Sequence, residues 1–124
     1  MDNSELTASI DRYCSAWEDR SREERQELLS DILEPDMVYV DPSVHTEGLA
    51  ALLDHIATVQ ARFPGSTTPR LGKVDQHHGL ARFAWCKQLA DGTRLPAGTD
   101  IVEFSPRGRI ARIIGFFGPL DGAV

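Results

Sequence analysis

The sequence predicts an α+β fold in which three N-terminal helices pack on a curved, mostly antiparallel sheet. Apolar residues recur at helical spacing through the first half of the chain, and beyond Pro64 and Gly65 they alternate with a period of two. A run of helices followed by a run of strands is typical of α+β proteins. A chain of 124 residues can bury one sizeable core, so we predict one domain, 1–124. A strongly curved sheet over three helices would enclose a cone-shaped cavity.

Two helices are predicted at the N-terminus. The first runs from about Ser4 to Asp19, and the spacing of its apolar stripe places Tyr13 on the buried side. Because the Tyr13 hydroxyl would then be buried, it needs a polar partner inside the fold. Ser21 followed by Glu24 is a capping-box pattern that opens the second helix, and Pro35 ends it.

A short strand, Met37 to Val40, runs directly into Asp41 and Pro42. Alternation places Met37, Tyr39 and Asp41 on one face of this strand. Aspartate is a poor strand residue, and Pro42 has no N–H to donate, so regular pairing ends here. The pattern predicts a carboxylate at a strand end, in line with apolar and aromatic neighbours. Such a carboxylate can serve as a general base or simply end the strand.

The rest of the chain predicts one more helix and four strands. A loop containing His45 leads to a third helix that is capped by Thr46 or its neighbour and carries Ile56 on its apolar stripe. Four strands follow as an antiparallel meander, at residues 67–76, 78–89, 99–104 and 109–117. In the second of these strands Ala81, Phe83 and Trp85 share one face.

Asp100 is a second carboxyl that the pattern places toward the core. It begins a run in which Val102 and Phe104 lie on the same face by alternation. A buried carboxyl is costly unless it is hydrogen-bonded, and it often takes up a proton instead.

Composition and charge exclude several classes of protein. A net charge of −6 argues against a nucleic acid or an anionic membrane as partner. The N-terminus has no signal-peptide pattern and no apolar run is long enough to span a membrane, so we expect a cytoplasmic protein. Cys14 and Cys86 each lie in an apolar pattern and are predicted to be buried free thiols. Nothing is spaced as a metal site, so we expect no metal.

The chain resembles the nuclear transport factor 2-like superfamily, and within it the SnoaL-like and ketosteroid-isomerase-like proteins. The resemblance covers about Leu6 to Phe117, nearly the whole chain. The residues that carry it are Arg12 and Tyr13, Val40 to Pro42, Gly48, Asp100 to Phe104, and Gly108 to Ile110.

The resemblance implies a cofactor-independent isomerase or lyase that moves a proton α to a carbonyl. Asp41 would be the base, and Tyr13 and Asp100 would donate hydrogen bonds to the developing enolate oxygen. The ligand would be small and apolar, and a homodimer would form through the outer face of the sheet. The residues expected to line the pocket are Trp17, Tyr39, His45, Ile56, His78, Phe83, Trp85, Val102, Ile113, Gly115 and Phe117.

Two alternatives follow from the same residues. The first is a dehydratase or cyclase in which His78 or His45 partners an aspartate inside the cavity. The second is a ligand-binding or dimerisation module without chemistry, because function belongs to the site and not to the scaffold.

Overall fold

The computed structural model describes residues 2–119 of the chain and contains three helices and six strands in that range. The helices are α1 (Asn3–Ser15), α2 (Arg22–Ser30) and α3 (Leu49–Arg62), and the strands are β1 (Leu33–Asp41), β2 (Val44–Glu47), β3 (Arg70–His77), β4 (Leu80–Trp85), β5 (Gly98–Phe104) and β6 (Ile110–Phe116).

All six strands form one sheet in the order β2-β1-β6-β5-β4-β3. Strands β3 to β6 pair antiparallel as the predicted meander, and β1 joins its end by pairing parallel to β6. The register shifts within the β1–β6, β3–β4 and β5–β6 pairs, and such irregularities increase the twist and bend of a sheet. The predicted α+β fold with helices on a curved, mostly antiparallel sheet is confirmed.

The first two helices end earlier than the sequence pattern predicts. The capping box of α2 is present, because the Ser21 side chain accepts from Glu24 N and the Glu24 carboxylate accepts from Ser21 N. The helix nevertheless ends at Ser30 and does not continue to Pro35. The Ile32 carbonyl accepts a hydrogen bond from Ile110 N at 2.7 Å, so this segment pairs with β6 instead. Helix α1 ends at Ser15, short of Asp19.

Strand β2 occupies residues that were predicted to form a loop. It forms a tight hairpin with β1 across Pro42 and Ser43, and His45 pairs with Val40. The prediction that Thr46 or its neighbour caps α3 is therefore wrong. Thr46 and both its neighbours lie in β2, and the Thr46 hydroxyl donates to the Tyr39 carbonyl. The cap is Gly48, whose φ of 84° is a conformation that favours glycine.

The two long strands predicted after α3 are both shorter in the structure. Strand β3 begins at Arg70, and β4 ends at Trp85, so residues 86–97 form an irregular connection. Gln88 makes isolated bridges to Thr67 and Arg94 within this region.

The core lies between the helices and the sheet face that bears the odd-numbered residues of β1. Met37 and Tyr39 of β1 are buried there against residues such as Ile10 and Leu52. Cys14 and Cys86 are buried free cysteines, which confirms that prediction.

Candidate active site

A cavity of about 550 Å³ lies between helices α1 and α3 and the inner face of the sheet. Most of its wall is apolar or aromatic, and its polar groups come from separate elements that the fold brings together. The lining residues are Tyr13, Cys14, Trp17, Tyr39, Asp41, Ser43, His55, Val59, Arg62, Phe63, Thr68, Phe83, Trp85, Lys87, Leu95, Pro96, Asp100, Phe117 and Gly118.

Asp41 lies at the end of β1, is 8% exposed, and is surrounded by donors. The Tyr39 hydroxyl donates to Oδ2 at 2.5 Å. The Ser43 backbone N–H and hydroxyl donate to Oδ1 at 2.7 and 2.6 Å. His55 Nε2 is 3.6 Å from Oδ2, slightly beyond hydrogen-bond range but within ion-pair distance. Oδ1 thus accepts two hydrogen bonds and Oδ2 accepts one, with the His55 ring close to Oδ2.

These donors decide the protonation state of Asp41. Burial by itself would raise the pKa of this carboxyl, but the neighbouring His55, Ser43 and Tyr39 outweigh burial and hold the pKa well below its ordinary value. Donors to a carboxylate favour its charged form. Asp41 is therefore ionised at neutral pH. The same bonds make it a weaker base than an unpaired carboxylate.

His55 is a site residue that the sequence analysis missed. It lies on α3, its side chain is 12% exposed, and its ring is 5.7 Å from the ring of Trp17 and 5.6 Å from that of Tyr39. The signal was present, because His55 is three residues after Leu52 and four before Val59, the spacing of one helix face. A polar residue beside the apolar stripe of a helix that covers a cavity is a candidate site residue.

Asp100 is the second carboxyl of the cavity, and its environment differs from that of Asp41. It is 5% exposed, and its Oδ1 accepts a hydrogen bond from Trp85 Nε1 at 2.8 Å. Burial raises the pKa of Asp100 to about 7; the Trp85 bond opposes this, and the nearby charge of Asp41 adds to it. Asp100 therefore keeps its proton up to the neutral pH range and loses it above that range.

Tyr13 is buried on α1 with its ring edge-on to Trp17 at 6.3 Å. Burial, followed by the charge of Asp100, raises the pKa of the Tyr13 hydroxyl well above its ordinary value, so the group stays neutral. Among residues 2–119 this hydroxyl makes no direct hydrogen bond to Asp41 or Asp100. All three side chains nevertheless line the same cavity.

Apart from the two histidines, the pocket residues predicted from the sequence divide into three groups. Trp17, Tyr39, Phe83, Trp85 and Phe117 line the cavity. Ile56, Val102 and Ile113 are fully buried in the core behind it and do not line it. Gly115 lies beneath the two carboxyls: a Cβ placed there would be 3.0 Å from Asp100 Oδ1 and 3.3 Å from Asp41 Cβ.

The two predicted histidines do not reach the cavity. The side chain of His45 is 62% exposed, because β2 is the edge strand and His45 faces outward near Glu47. His78 is exposed in the β3–β4 turn with a φ of 50° and contacts His77. The histidine that stands beside an aspartate in the cavity is His55 instead.

The described range shows neither a metal site nor a membrane span. No group of three or more His, Cys, Asp or Glu residues between 2 and 119 is arranged to hold a metal ion. No helix in that range is long and apolar enough to cross a membrane.

Several solved structures share this fold over most of the chain. A proposed isomerase of the SnoaL-like family from Agrobacterium tumefaciens has a TM-score of 0.87 and 28% identity, over 94% of this chain and 99% of that one. An NTF2-like protein of unknown function from Exiguobacterium sp. 255-15 has a TM-score of 0.65 and 24% identity, over 91% and 98%. A proposed polyketide cyclase from Sinorhizobium meliloti has a TM-score of 0.71 and 18% identity, over 93% and 99%. No protein-family model and no curated protein matches the sequence.

Proposed function

We propose that this chain, which belongs to the nuclear transport factor 2-like superfamily and has SnoaL-like proteins as structural neighbours, moves a proton α to the carbonyl group of a small apolar compound without a cofactor. One observation carries the proposal. Two carboxyl groups line one cavity, and their pKa values are displaced in opposite directions. Such a pair supplies an ionised and a protonated carboxyl at the same pH, which is how an acid and a base are assigned in one site.

Asp100 and Tyr13 are suited to stabilise the enolate. Abstraction of an α proton places negative charge on the carbonyl oxygen, and donors in a dry cavity stabilise that charge without reorganisation. Trp85 occupies Oδ1 of Asp100, which leaves Oδ2 to carry the proton that the acid donates. The neutral Tyr13 hydroxyl supplies a second donor from α1.

Asp41 is the base in this proposal, with His55 beside it. Its charge is held at the cavity wall by Tyr39 and Ser43, so the carboxylate has a fixed orientation toward a bound ligand. To accept a proton it must give up part of this hydrogen bonding, which limits its strength as a base. Hydrogen bonds from Asp100 and Tyr13 to the carbonyl oxygen make the α proton more acidic, so a weaker base is sufficient to remove it.

A dehydratase or cyclase is the second candidate, and the 3.6 Å contact between His55 Nε2 and Asp41 Oδ2 favours it. In this alternative His55 takes the proton, and the Asp41 carboxylate orients the ring and stabilises its charged form. An aspartate that is ionised and saturated with donors is well suited to that supporting role.

Deuterium exchange tests the proposal. We would follow loss of the α-proton NMR signal of 2-tetralone, a small apolar ketone, in D₂O at pH 7. The wild-type protein should accelerate exchange over buffer, and Asp41→Asn should reduce the acceleration by about 10²–10⁴-fold, the usual contribution of a general base. Asp36→Asn replaces an exposed aspartate outside the cavity and should leave the rate unchanged.

His55→Gln separates the two candidates. If Asp41 is the base, His55→Gln should lower the rate less than Asp41→Asn does. If His55→Gln removes the acceleration and Asp41→Asn only weakens it, the base is His55. A wild-type rate equal to that of buffer would contradict both and favour the non-catalytic ligand-binding module.

A further inference from the structure

Lys87 is a charged side chain of the cavity that has no part in the proton transfer proposed above. Lys87 follows β4 and continues its alternation, so it points to the same side as Phe83 and Trp85. The residue is 8% exposed. Its Nζ donates to the Thr68 hydroxyl at 2.7 Å and lies 5.2 Å from the centre of the Trp17 ring.

Lys87 lacks a carboxylate partner in the described part of the chain. No Asp or Glu between residues 2 and 119 lies within 4.0 Å of its Nζ. A buried cation without an anion is costly, because it loses hydration that only a hydroxyl and an aromatic ring replace. Burial accordingly lowers the pKa of Lys87 to about 8, which leaves the ammonium form in the majority at pH 7.

A second cation lies on the wall of the same cavity. Arg62 of α3 lines the cavity, is exposed, and places its guanidinium 5.5 Å from the centre of the Phe63 ring. It too makes no ion pair among residues 2–119. The carboxyls of the cavity, Asp41 and Asp100, are engaged with other partners. The cavity therefore has positive charge that its own acidic groups do not neutralise at close range.

We propose that the carbonyl compound that binds in this cavity also carries a carboxylate on its apolar body, and that Lys87 and Thr68 bind this carboxylate. Thr68 accepts from Lys87 and keeps its own O–H to donate to an anion. A single buried ammonium matches a monoanion such as a carboxylate better than a phosphate dianion, since burial favours neutral pairs. The inference rests on the proposed function, because it takes the same cavity as the substrate site.

Binding of two probes of the same shape tests the inference. 4-Phenylbutyrate carries a carboxylate, and 4-phenylbutyramide replaces it with a neutral amide. We would measure Kd for both by isothermal titration calorimetry at pH 7. The wild-type protein should bind the carboxylate about tenfold to hundredfold more tightly than the amide, the range expected for a hydrogen-bonded charged contact.

The chain offers a matched pair of lysine variants, because Lys73 and Lys87 are its only lysines. Lys87→Met keeps the apolar stem and removes the charge, so it should abolish the preference for the carboxylate. Lys73→Met changes an exposed lysine of β3 and should retain that preference. Unchanged binding of the amide to Lys87→Met would show that the variant still folds around its cavity.

The outcomes separate this inference from the proposed function. Equal affinity of the wild-type protein for both probes, or a preference that survives in Lys87→Met, would overturn the inference alone. Failure of both probes to bind would also overturn it. The exchange assay uses 2-tetralone, which has no carboxylate, so the proton-transfer proposal is judged independently of Lys87.

Discussion

Asp100→Asn is expected to change how stability depends on pH between about pH 4 and pH 7. The pKa of Asp100 is raised by burial from 3.8 to about 7 in the folded protein. The unfolded chain releases this proton near pH 4, whereas the folded protein keeps it until near pH 7. The unfolded state thus binds fewer protons in this window, so the free energy of unfolding of the wild-type protein falls as pH rises.

The size of the effect follows from the two pKa values. One pKa unit corresponds to about 1.4 kcal/mol, so the difference between 3.8 and about 7 costs the folded state about 4 kcal/mol above pH 7. Solvent screening reduces this figure little, because Asp100 is 5% exposed. Asparagine has the same shape, cannot ionise, and retains an oxygen that accepts from Trp85 Nε1. Asp100→Asn should therefore be more stable than wild type at pH 8, by up to that amount.

Urea unfolding followed by tryptophan fluorescence, at intervals from pH 4 to pH 8, measures the effect. Asp36→Asn changes an exposed carboxyl and should follow the wild-type profile. Asp41 does not interfere, because its lowered folded-state pKa confines its contribution to a loss of stability as pH falls below about 4. A profile of Asp100→Asn parallel to wild type between pH 4 and pH 7 would refute the reasoning, as would an Asp100 carboxyl carbon that titrates near 3.8.

Two further predictions concern the sheet. Gly98→Ala should lower the free energy of unfolding by about 1–3 kcal/mol in urea, because its Cβ would lie 2.5 Å from the Trp85 ring and 2.7 Å from the Phe116 carbonyl oxygen; an unchanged urea midpoint would contradict this packing. The homodimer implied by the superfamily resemblance stays a prediction. Ile114 pairs with Ile101 on the outer sheet face, where the dimer would form. Ile114→Glu places a charge there and should convert a dimer to a monomer in light scattering. A monomeric wild-type protein would contradict it.

Sequence patterns predicted the parts of the fold that depend on residues close to one another in the chain. Alternation placed Met37, Tyr39 and Asp41 on one face, and all three are buried together. The capping box of α2 likewise depends only on residues close in sequence. The second helix predicted to end at Pro35 would include Leu33, but pairing with Ile110 of β6 puts Leu33 in β1. That partner is distant in sequence, so propensity could not reveal it.

The candidate site was predicted in part for the same reason. Tyr13, Asp41 and Asp100 could be selected because each is a polar residue at a position where the pattern requires an apolar one. His55 and Lys87 also occupy positions that the spacing of their neighbours defines. His55 flanks the apolar stripe of α3, and Lys87 extends the alternation of Phe83 and Trp85. Their spacing marks them only as candidates, because a polar residue beside an apolar stripe is usually solvated. Only the curvature of the sheet decides that these two face a cavity.

The opposed pKa values of Asp41 and Asp100 depend on the strand that separates them. Strand β6 lies between β1 and β5, and its Gly115 pairs with Asp100. A Cβ at position 115 would lie 3.0 Å from Asp100 Oδ1 and 3.3 Å from Asp41 Cβ, so the glycine leaves the space between the two carboxyls open. After burial and the Trp85 bond, the charge of Asp41 acts on Asp100 across this gap and helps keep it protonated. The proposed acid–base pair therefore depends on three adjacent strands together, and neither the sequence around Asp41 nor that around Asp100 alone could predict it.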